Sequence, residues 1–346
     1  MPSLSDLGEF GLIDRLAAAL SPVASPGLVR GIGDDAAVYR IGTGPDGEAR
    51  VHVVTTDALI EGVHFDRTFV PMDDLGEKAV AVNVSDVCAM NARPRYLTVA
   101  LGVPDGFAVD DLDALYRGVR RACERYGCTV VGGDVTRSPA LVLSIAAIGE
   151  AEEANVVYRN GAQVGDLLAV TGDLGASAVG LRLLRDPALR LEASAFPYPV
   201  RRHLAPTARL DAVEAFAHAG IRPSAMLDVS DGLASEIHHV CRNSGVGAVV
   251  QRSSVPIHPQ TVAAAARLGV DPLGEAWWGG EDYELLLTLS AADLSELPPG
   301  LVTVVGRIVG ADEGVTMEDD GQRSAFPGSG FDHFGEPYEE LGIPSC

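Results

Sequence analysis

The chain has 346 residues, room for about two ordinary domains, each large enough to build its own core. Hydrophobic residues at 47% and charged residues at 21% describe a soluble globular protein and exclude disorder as its main state. With 26 basic against 48 acidic residues the net charge is −22, so the mean field repels nucleic acid, anionic membranes and phosphorylated small molecules. An anionic ligand then needs arginine, backbone amides or bound cations beside it.

Near the N-terminus Leu12, Ile13, Leu16 and Leu20 share one helical face. Strand patterns follow at 36–41, 51–56, 96–103, 129–131 and 141–148, with two helical patterns between them. The first helix, 73–90, opens with acidic residues suited to its positive end, and the second, 110–126, aligns Leu112, Leu115, Val119 and Cys123. Polar, loop-like sequence at 150–165 marks the expected boundary between an N-terminal domain, 1–150, and a C-terminal domain, 151–346. Beyond it the pattern predicts strand 167–171, helix 176–184, a proline-interrupted stretch, helix 206–219, strand 225–229, helix 233–242 and strand 248–251. Further strands are predicted at 284–289, 301–308 and 315–317. Two mixed α/β domains follow from this alternation, whereas strand order does not.

The single lysine, Lys78, follows no glycine-rich phosphate loop, which excludes a Walker-type P-loop. Five scattered cysteines, Cys88, Cys123, Cys128, Cys241 and Cys346, form no Cys-x-x-Cys pair and fit a reducing cytoplasm. Neither a signal peptide nor a membrane span is predicted, because no basic segment leads an apolar one and no run of about 18 residues escapes charges and turn formers.

Aspartates recur where a strand or a glycine turn meets the next element: Gly33-Asp34-Asp35, Thr55-Thr56-Asp57, Gly132-Gly133-Asp134, Asp228-Val229-Ser230-Asp231 and Gly280-Glu281-Asp282. Each alone reads as a turn-former or, for Asp231, a helix N-cap; their repetition raises the reading of a site. Asp86 lies in the apolar run 79–90, where an unpaired carboxylate would need a cation or donors unless that side of the helix is solvated. Asn83, three residues earlier, shares its helical face. Oxygen ligands without a Cys or His cluster select a hard ion, magnesium before zinc. Arg159, in the boundary loop, offers a guanidinium fork to a phosphate, and His64 follows a strand, where it either meets substrate or packs in its loop.

Taken in order, Gly8-Glu-Phe-Gly-Leu-Ile13, Gly31-Ile-Gly-Asp-Asp-Ala36, Thr55-Thr-Asp57 with Gly62-Val-His-Phe65, Ala81-Val-Asn-Val-Ser-Asp86, Val131-Gly-Gly-Asp134, Asp228-Val-Ser-Asp-Gly-Leu233, Gly279-Gly-Glu-Asp-Tyr-Glu-Leu285 and Gly330-Phe-Asp-His-Phe334 closely resemble the thiamine-monophosphate kinases. The match spans nearly the whole chain. It implies the two-domain α/β fold shared with aminoimidazole ribonucleotide synthetase, whose N-terminal mixed sheets join in a barrel-like homodimer core. It also implies transfer of the γ-phosphoryl of ATP to thiamine monophosphate, giving thiamine diphosphate and ADP with several magnesium ions. By the same resemblance Asp35, Thr55, Thr56, Asp57, Asp86, Asp134, Asp228 and Asp231 are the magnesium ligands, with Asp34 beside them. Tyr116, Gly133, Asp134, Arg159 and Ser230 contact ATP, and His64, Glu281 and Phe331 contact substrate, Phe331 facing the thiamine rings. Relatives often carry Trp or Tyr at that position; Phe keeps the stacking area and loses a polar tip.

The implied chemistry agrees with the composition. The acceptor is a phosphate oxygen already ionised near neutral pH, so no residue is assigned as a general base, and positioning with charge neutralisation suffices. Sister enzymes of the superfamily are the nearest rivals. Selenophosphate synthetases carry a reactive Cys or selenocysteine beside a lysine near the N-terminus, which this chain lacks, and the residues before Cys346 do not resemble the cysteine-ended tail of the hydrogenase-maturation protein. A non-catalytic acidic metal-binding protein is the remaining alternative, without EF-hand spacing and with His64, Arg159 and the aromatic motif at 330–334 unexplained.

Overall fold

The computed structural model describes residues 4–20, 25–326 and 328. The first half runs α1 (Leu4–Ala19), β1 (Leu28–Arg30), β2 (Ala37–Thr43), β3 (Ala49–Ile60), α2 (Met72–Ala89), β4 (Arg93–Val103), α3 (Val109–Tyr126), β5 (Thr129–Arg137) and β6 (Val142–Glu152). Its six strands form one sheet in the order β1-β2-β3-β6-β4-β5. Only β4 and β5 are parallel, since a helix, α3, carries the chain between them. In β3 and β6 the period of two is strict: Val51, Val53 and Leu59, with Leu143, Ile145 and Ala147, turn inward beneath α2. α3 buries Leu115 and Val119 with Leu112 and Cys123 beside them, the face its spacing predicts.

The second half comprises β7 (Leu167–Thr171), α4 (Ala176–Arg185), α5 (Pro187–Arg190), α6 (Pro197–Leu204), α7 (Leu210–Ala219), β8 (Ala225–Asp228), α8 (Leu233–Ser244) and β9 (Gly247–Gln251). It continues through α9 (Pro259–Leu268), α10 (Pro272–Trp278), β10 (Leu285–Leu289), α11 (Ala291–Glu296), β11 (Val302–Val309), β12 (Val315–Asp319) and β13 (Gln322–Ala325). Seven strands form the second sheet in the order β13-β12-β9-β11-β7-β10-β8, with β12 and β9 its parallel pair. β8 and β10 are buried along their whole length and β7 nearly so, which explains their unbroken apolar sequences.

Four departures from the sequence pattern have local causes. Residues 206–209 precede α7 instead of opening it. α9 and α10 lie outside the predicted elements; each opens on a proline, Pro259 or Pro272, in its first turn, behind a capping His258 or Asp271. β5 continues through Gly132-Gly133-Asp134 to Arg137, so that motif lies in an edge strand and not at a turn. A Cβ at Gly133 would stand 1.9 Å from the Val99 carbonyl oxygen, so glycine there serves close strand approach. In α1 the face expected to pack against a core leaves Ile13, Leu16 and Leu20 exposed, and Gly8 interrupts the helical geometry at φ 63.

α2 is the central element, buried on nearly all sides against the first sheet, α3 and β8 of the second half. Its approach to α3 is backbone to backbone. A Cβ at Gly76 would lie 2.1 Å from the Leu115 oxygen, and one at Gly118 would lie 1.9 Å from the Asp73 oxygen. Gly118→Ala should therefore destabilise the fold by about 2 kcal/mol or more, read as a lowered urea midpoint; an unchanged midpoint would show that the helices separate freely.

Candidate functional site

α2 turns its Asn83 and Asp86 towards β3, as their spacing predicts. Asp86 Oδ2 accepts a hydrogen bond from Thr55 Oγ1 at 2.6 Å, and Asn83 Oδ1 accepts one from the Asp57 amide at 3.0 Å. Strand alternation places Thr55 and Asp57 on this face and Thr56 on the other, where its hydroxyl donates to the Ile145 carbonyl oxygen at 3.0 Å. The Thr56 side chain is therefore not brought to the cleft. From the same helix Ser85 Oγ donates to Asp228 Oδ2 at 2.6 Å, joining the end of β8 to the first half.

The two glycine-containing motifs of the second half pair with each other. Val229 N donates to Glu284 O at 2.7 Å, Tyr283 N to Val229 O at 2.9 Å and Glu281 N to Ser230 O at 2.7 Å. Gly280 permits this approach, since a Cβ there would lie 2.2 Å from the Ser230 oxygen. The N-cap position of α8 belongs to Gly232, not to Asp231. These segments close a cleft of about 230 Å³ lined by Asp57, His64, Asp86, Asp228, Asp231 and Glu281, with Ser230 at its wall. Glu9 from α1 and the buried Tyr283 also line it. Neither was singled out by sequence reasoning, although both stand inside quoted motifs, Gly8-Glu9 and Asp282-Tyr283.

At the Asp34-Asp35 turn the two carboxylates divide their tasks. Arg30 donates to Asp34 Oδ2 from Nε and Nη2 at 3.0 and 2.7 Å, and the Arg159 amide donates to Asp34 Oδ1 at 3.1 Å. Asp34 thus pins the turn to the boundary loop. Arg159 Nη2 donates to Asp35 Oδ1 at 2.6 Å, while Asp35 Oδ2 is buried without a hydrogen-bond partner. Arg159, expected to reach a phosphate, is engaged here with aspartate.

The carboxylates of the group are raised by burial and by one another. Burial pushes Asp228 up to about 8, with Asp35 adding repulsion and the Ser85 hydrogen bond opposing. Asp35 rises to about 6, again by burial, against the pull of Arg159. Asp86 is driven well above the ordinary carboxylate range by burial, then by Asp57, Asp228 and Asp35, and Asp57 is raised by burial and Glu9. Among the described residues no three His, Cys, Asp or Glu side chains stand close enough together to hold a metal ion by themselves. An open arrangement still fits magnesium, which keeps several waters and takes one or two carboxylates alongside phosphate oxygens. The unpartnered Asp35 oxygen and the raised carboxyls are what such an ion would relieve.

His64 accepts the Ile60 amide on Nδ1 at 3.1 Å and lines both the acidic cleft and an adjoining pocket of about 90 Å³. That pocket adds Phe65, Phe69, Leu181 and Arg185. The remaining expected residues lie elsewhere. Tyr116 lines a separate shallow pocket between α3 and the start of β5, and Gly133 and Asp134 stand exposed on β5. Phe331, its motif and Cys346 lie outside the described residues.

The sequence matches the family models for the AIR synthase related protein N-terminal domain over residues 33–151 and its C-terminal domain over residues 163–317. It is 37% identical to the thiamine-monophosphate kinase of Aquifex aeolicus, over 82% of this chain and 87% of that one. It is 34% identical to the enzyme of that name from Mycobacterium tuberculosis, over 97% and 94%. Among solved structures, the complex of AaThiL with AMPPCP and TMP superposes with a TM-score of 0.79 at 35% identity, covering 96% of this chain and 99% of that one. Hydrogenase maturation protein HypE shares the fold, at a TM-score of 0.63 and 20% identity over 82% of this chain and 85% of that one.

Because the folded-state pKa of Asp228 lies above its unfolded value, its contribution to stability is fully present below about pH 4 and is lost as pH rises towards 8. Without divalent cations, Asp228→Asn should therefore stabilise the protein at pH 8 by about 1 kcal/mol or more, and by less at pH 5. Thermal unfolding at the two pH values reads this; equal effects would mean that Asp228 is ionised in the cleft throughout.

Proposed function

The chain belongs to the thiamine-monophosphate kinase family, which transfers a phosphoryl group from ATP to thiamine monophosphate, and from that membership we propose how its own residues do so. The observation that carries the reading is the convergence on one cleft of Asp57 and Asp86 from the first half with Asp228 and Asp231 from the second. We assign Asp35, Thr55, Asp57, Asp86, Asp228 and Asp231 to several magnesium ions, and leave out Thr56, whose hydroxyl is turned to the Ile145 carbonyl oxygen. When bound, these ions supply the positive charge that lets two polyanions meet in a protein of net charge −22.

The protein's part is geometric. The attacking oxygen belongs to a phosphate that needs no deprotonation, so no side chain has to act as a base. Thr55 and Ser85 orient the Asp86 and Asp228 carboxylates, and Asn83 fixes the backbone at Asp57. Such fixing lowers the barrier by removing freedom before the reaction starts. Arg159 and Ser230 serve ATP at this cluster. His64 and Glu281, at the junction of the acidic cleft with the aromatic pocket, serve thiamine monophosphate, and Phe331 is assigned to the same substrate by resemblance alone.

Tyr116, Gly133 and Asp134 do not line the cleft of their own chain, and their assignment to nucleotide and metal leads us to a homodimer. In support, β5 is an edge strand whose outer side has no partner strand among the described residues, with Val131 and Val135 exposed along it. On this reading residues 1–150 bind magnesium and nucleotide and dimerise, and residues 151–346 complete the active site. No helix among the described residues is long and apolar enough to cross a membrane, and we place the enzyme in the cytoplasm.

Chromatographic analysis of products tests the reaction. Thiamine diphosphate and ADP are expected in equal amounts with ATP, magnesium and thiamine monophosphate, and neither when magnesium is omitted or free thiamine replaces the monophosphate. ATP binding without diphosphate formation would move the assignment to a sister enzyme of the fold. Asp86→Asn should lower turnover by at least ~10², and near-normal turnover in folded protein would remove Asp86 from the site.

A further inference from the structure

Lys78 is the only lysine in the chain, and it is 2% exposed. A buried ammonium is costly unless paired, and its partner is Glu281, with Nζ 2.7 Å from Oε1. The second carboxylate oxygen, Oε2, lies 3.3 Å from His203 Nδ1, and the same nitrogen is 3.2 Å from Ser177 Oγ. Side chains of α2 and α6 thus converge on one carboxylate, with Ser177 of α4 against the histidine. The backbone of Glu281 is also held, at φ 65, by the hydrogen bond its N–H donates to the Ser230 carbonyl oxygen. A non-glycine residue at such an angle persists only where its surroundings enforce it.

Glu281 differs from the other carboxylates of the cleft. Burial pushes its pKa up, but the Lys78 charge and the His203 ring more than offset this and bring it below the ordinary carboxylate range. Asp86 and Asp228 go the other way. One acid of the cleft therefore carries its own built-in counter-charge, and it is the one that also lines the pocket containing Phe65 and Phe69.

We infer that Lys78 and His203 are positioning residues that grip one oxygen each of Glu281 and aim it, ionised, at the cationic or N–H-donating part of the thiamine moiety. The inference rests on the reading of Glu281 as a substrate contact. Held in this way, the carboxylate presents its remaining lone pairs where the acidic cleft meets the aromatic pocket, as directional acceptors for the organic end of the substrate, whose phosphate is left to the aspartate side of the cleft. Lysine suits the task because a slim stem with a compact ammonium threads the packed surface of α2, where a planar guanidinium would demand more room.

The test is a double-mutant cycle of Lys78→Met and Glu281→Gln in the full-length enzyme, read both by thermal unfolding and by kinetics with each substrate varied. Lys78→Met is expected to lower the melting temperature and to raise KM for thiamine monophosphate roughly 10- to 100-fold, with KM for ATP nearly unchanged. Both effects should largely vanish in the Glu281→Gln background. His203→Gln, which leaves the Lys78 grip in place, should show a smaller shift of the same KM in protein that folds normally. Additive melting effects in the cycle would overturn the grip of Lys78 on Glu281. Coupled melting effects with KM for thiamine monophosphate unchanged in every variant would instead overturn the reading of Glu281 as a substrate contact and reduce the pair to a structural role.

Discussion

Like-charged carboxylates held, largely buried, within reach of one another are the constraint around which this molecule is arranged. Left to themselves, Asp57, Asp86 and Asp228 would separate or take up protons. They stay because each is tied to something rigid. Asp86 rides on a helix buried on nearly all sides, Asp57 is locked in register within an eleven-residue ladder between two strands, and Asp228 ends a strand with no exposed residue. The hydroxyls of Thr55 and Ser85 and the amide of Asn83 add direction to that rigidity. Packing energy in two cores is thus converted into electrostatic potential in one cleft, which is how a strongly acidic protein handles phosphate chemistry.

The backbone contact between α2 and α3 belongs to the same arrangement. α2 meets the first sheet on one side and must reach β8 of the second half on another, so its position has to be defined from several directions. Gly76 and Gly118 bring α3 close enough to supply one of those directions through backbone atoms, which have no rotamers to relax. The Asp34 turn ties the halves again through Arg159, and Arg222 donates to the Val156 carbonyl oxygen across the boundary loop.

Much of this was legible in the sequence wherever the signal is local. The bounds of α2, α3 and β7 follow from periodicity and from acidic first turns, and the shared face of Asn83 and Asp86 follows from their spacing alone. What the pattern obscured has specific causes. Prolines that start α9 and α10 look identical to prolines that end helices. The glycines of β5 suggest a turn until the neighbouring strand is seen lying against them. Thr55 and Thr56 are equivalent in a motif, but a strand gives them opposite faces. The pairing of Lys78 with Glu281 spans most of the chain, and no local periodicity encodes a contact between residues so far apart; the one available hint was that a sequence so rich in arginine uses lysine once.

That usage has a consequence beyond the cleft. Since the sole lysine is interior, every basic side chain that faces solvent, histidine apart, is a guanidinium. Guanidinium groups hold their protons to beyond pH ~12, so the positive part of the surface charge is almost independent of alkalinity. The side chains likewise present no accessible primary amine to acylating or cross-linking reagents, so labelling of the folded surface through its side chains has to use other groups, above all the abundant carboxylates.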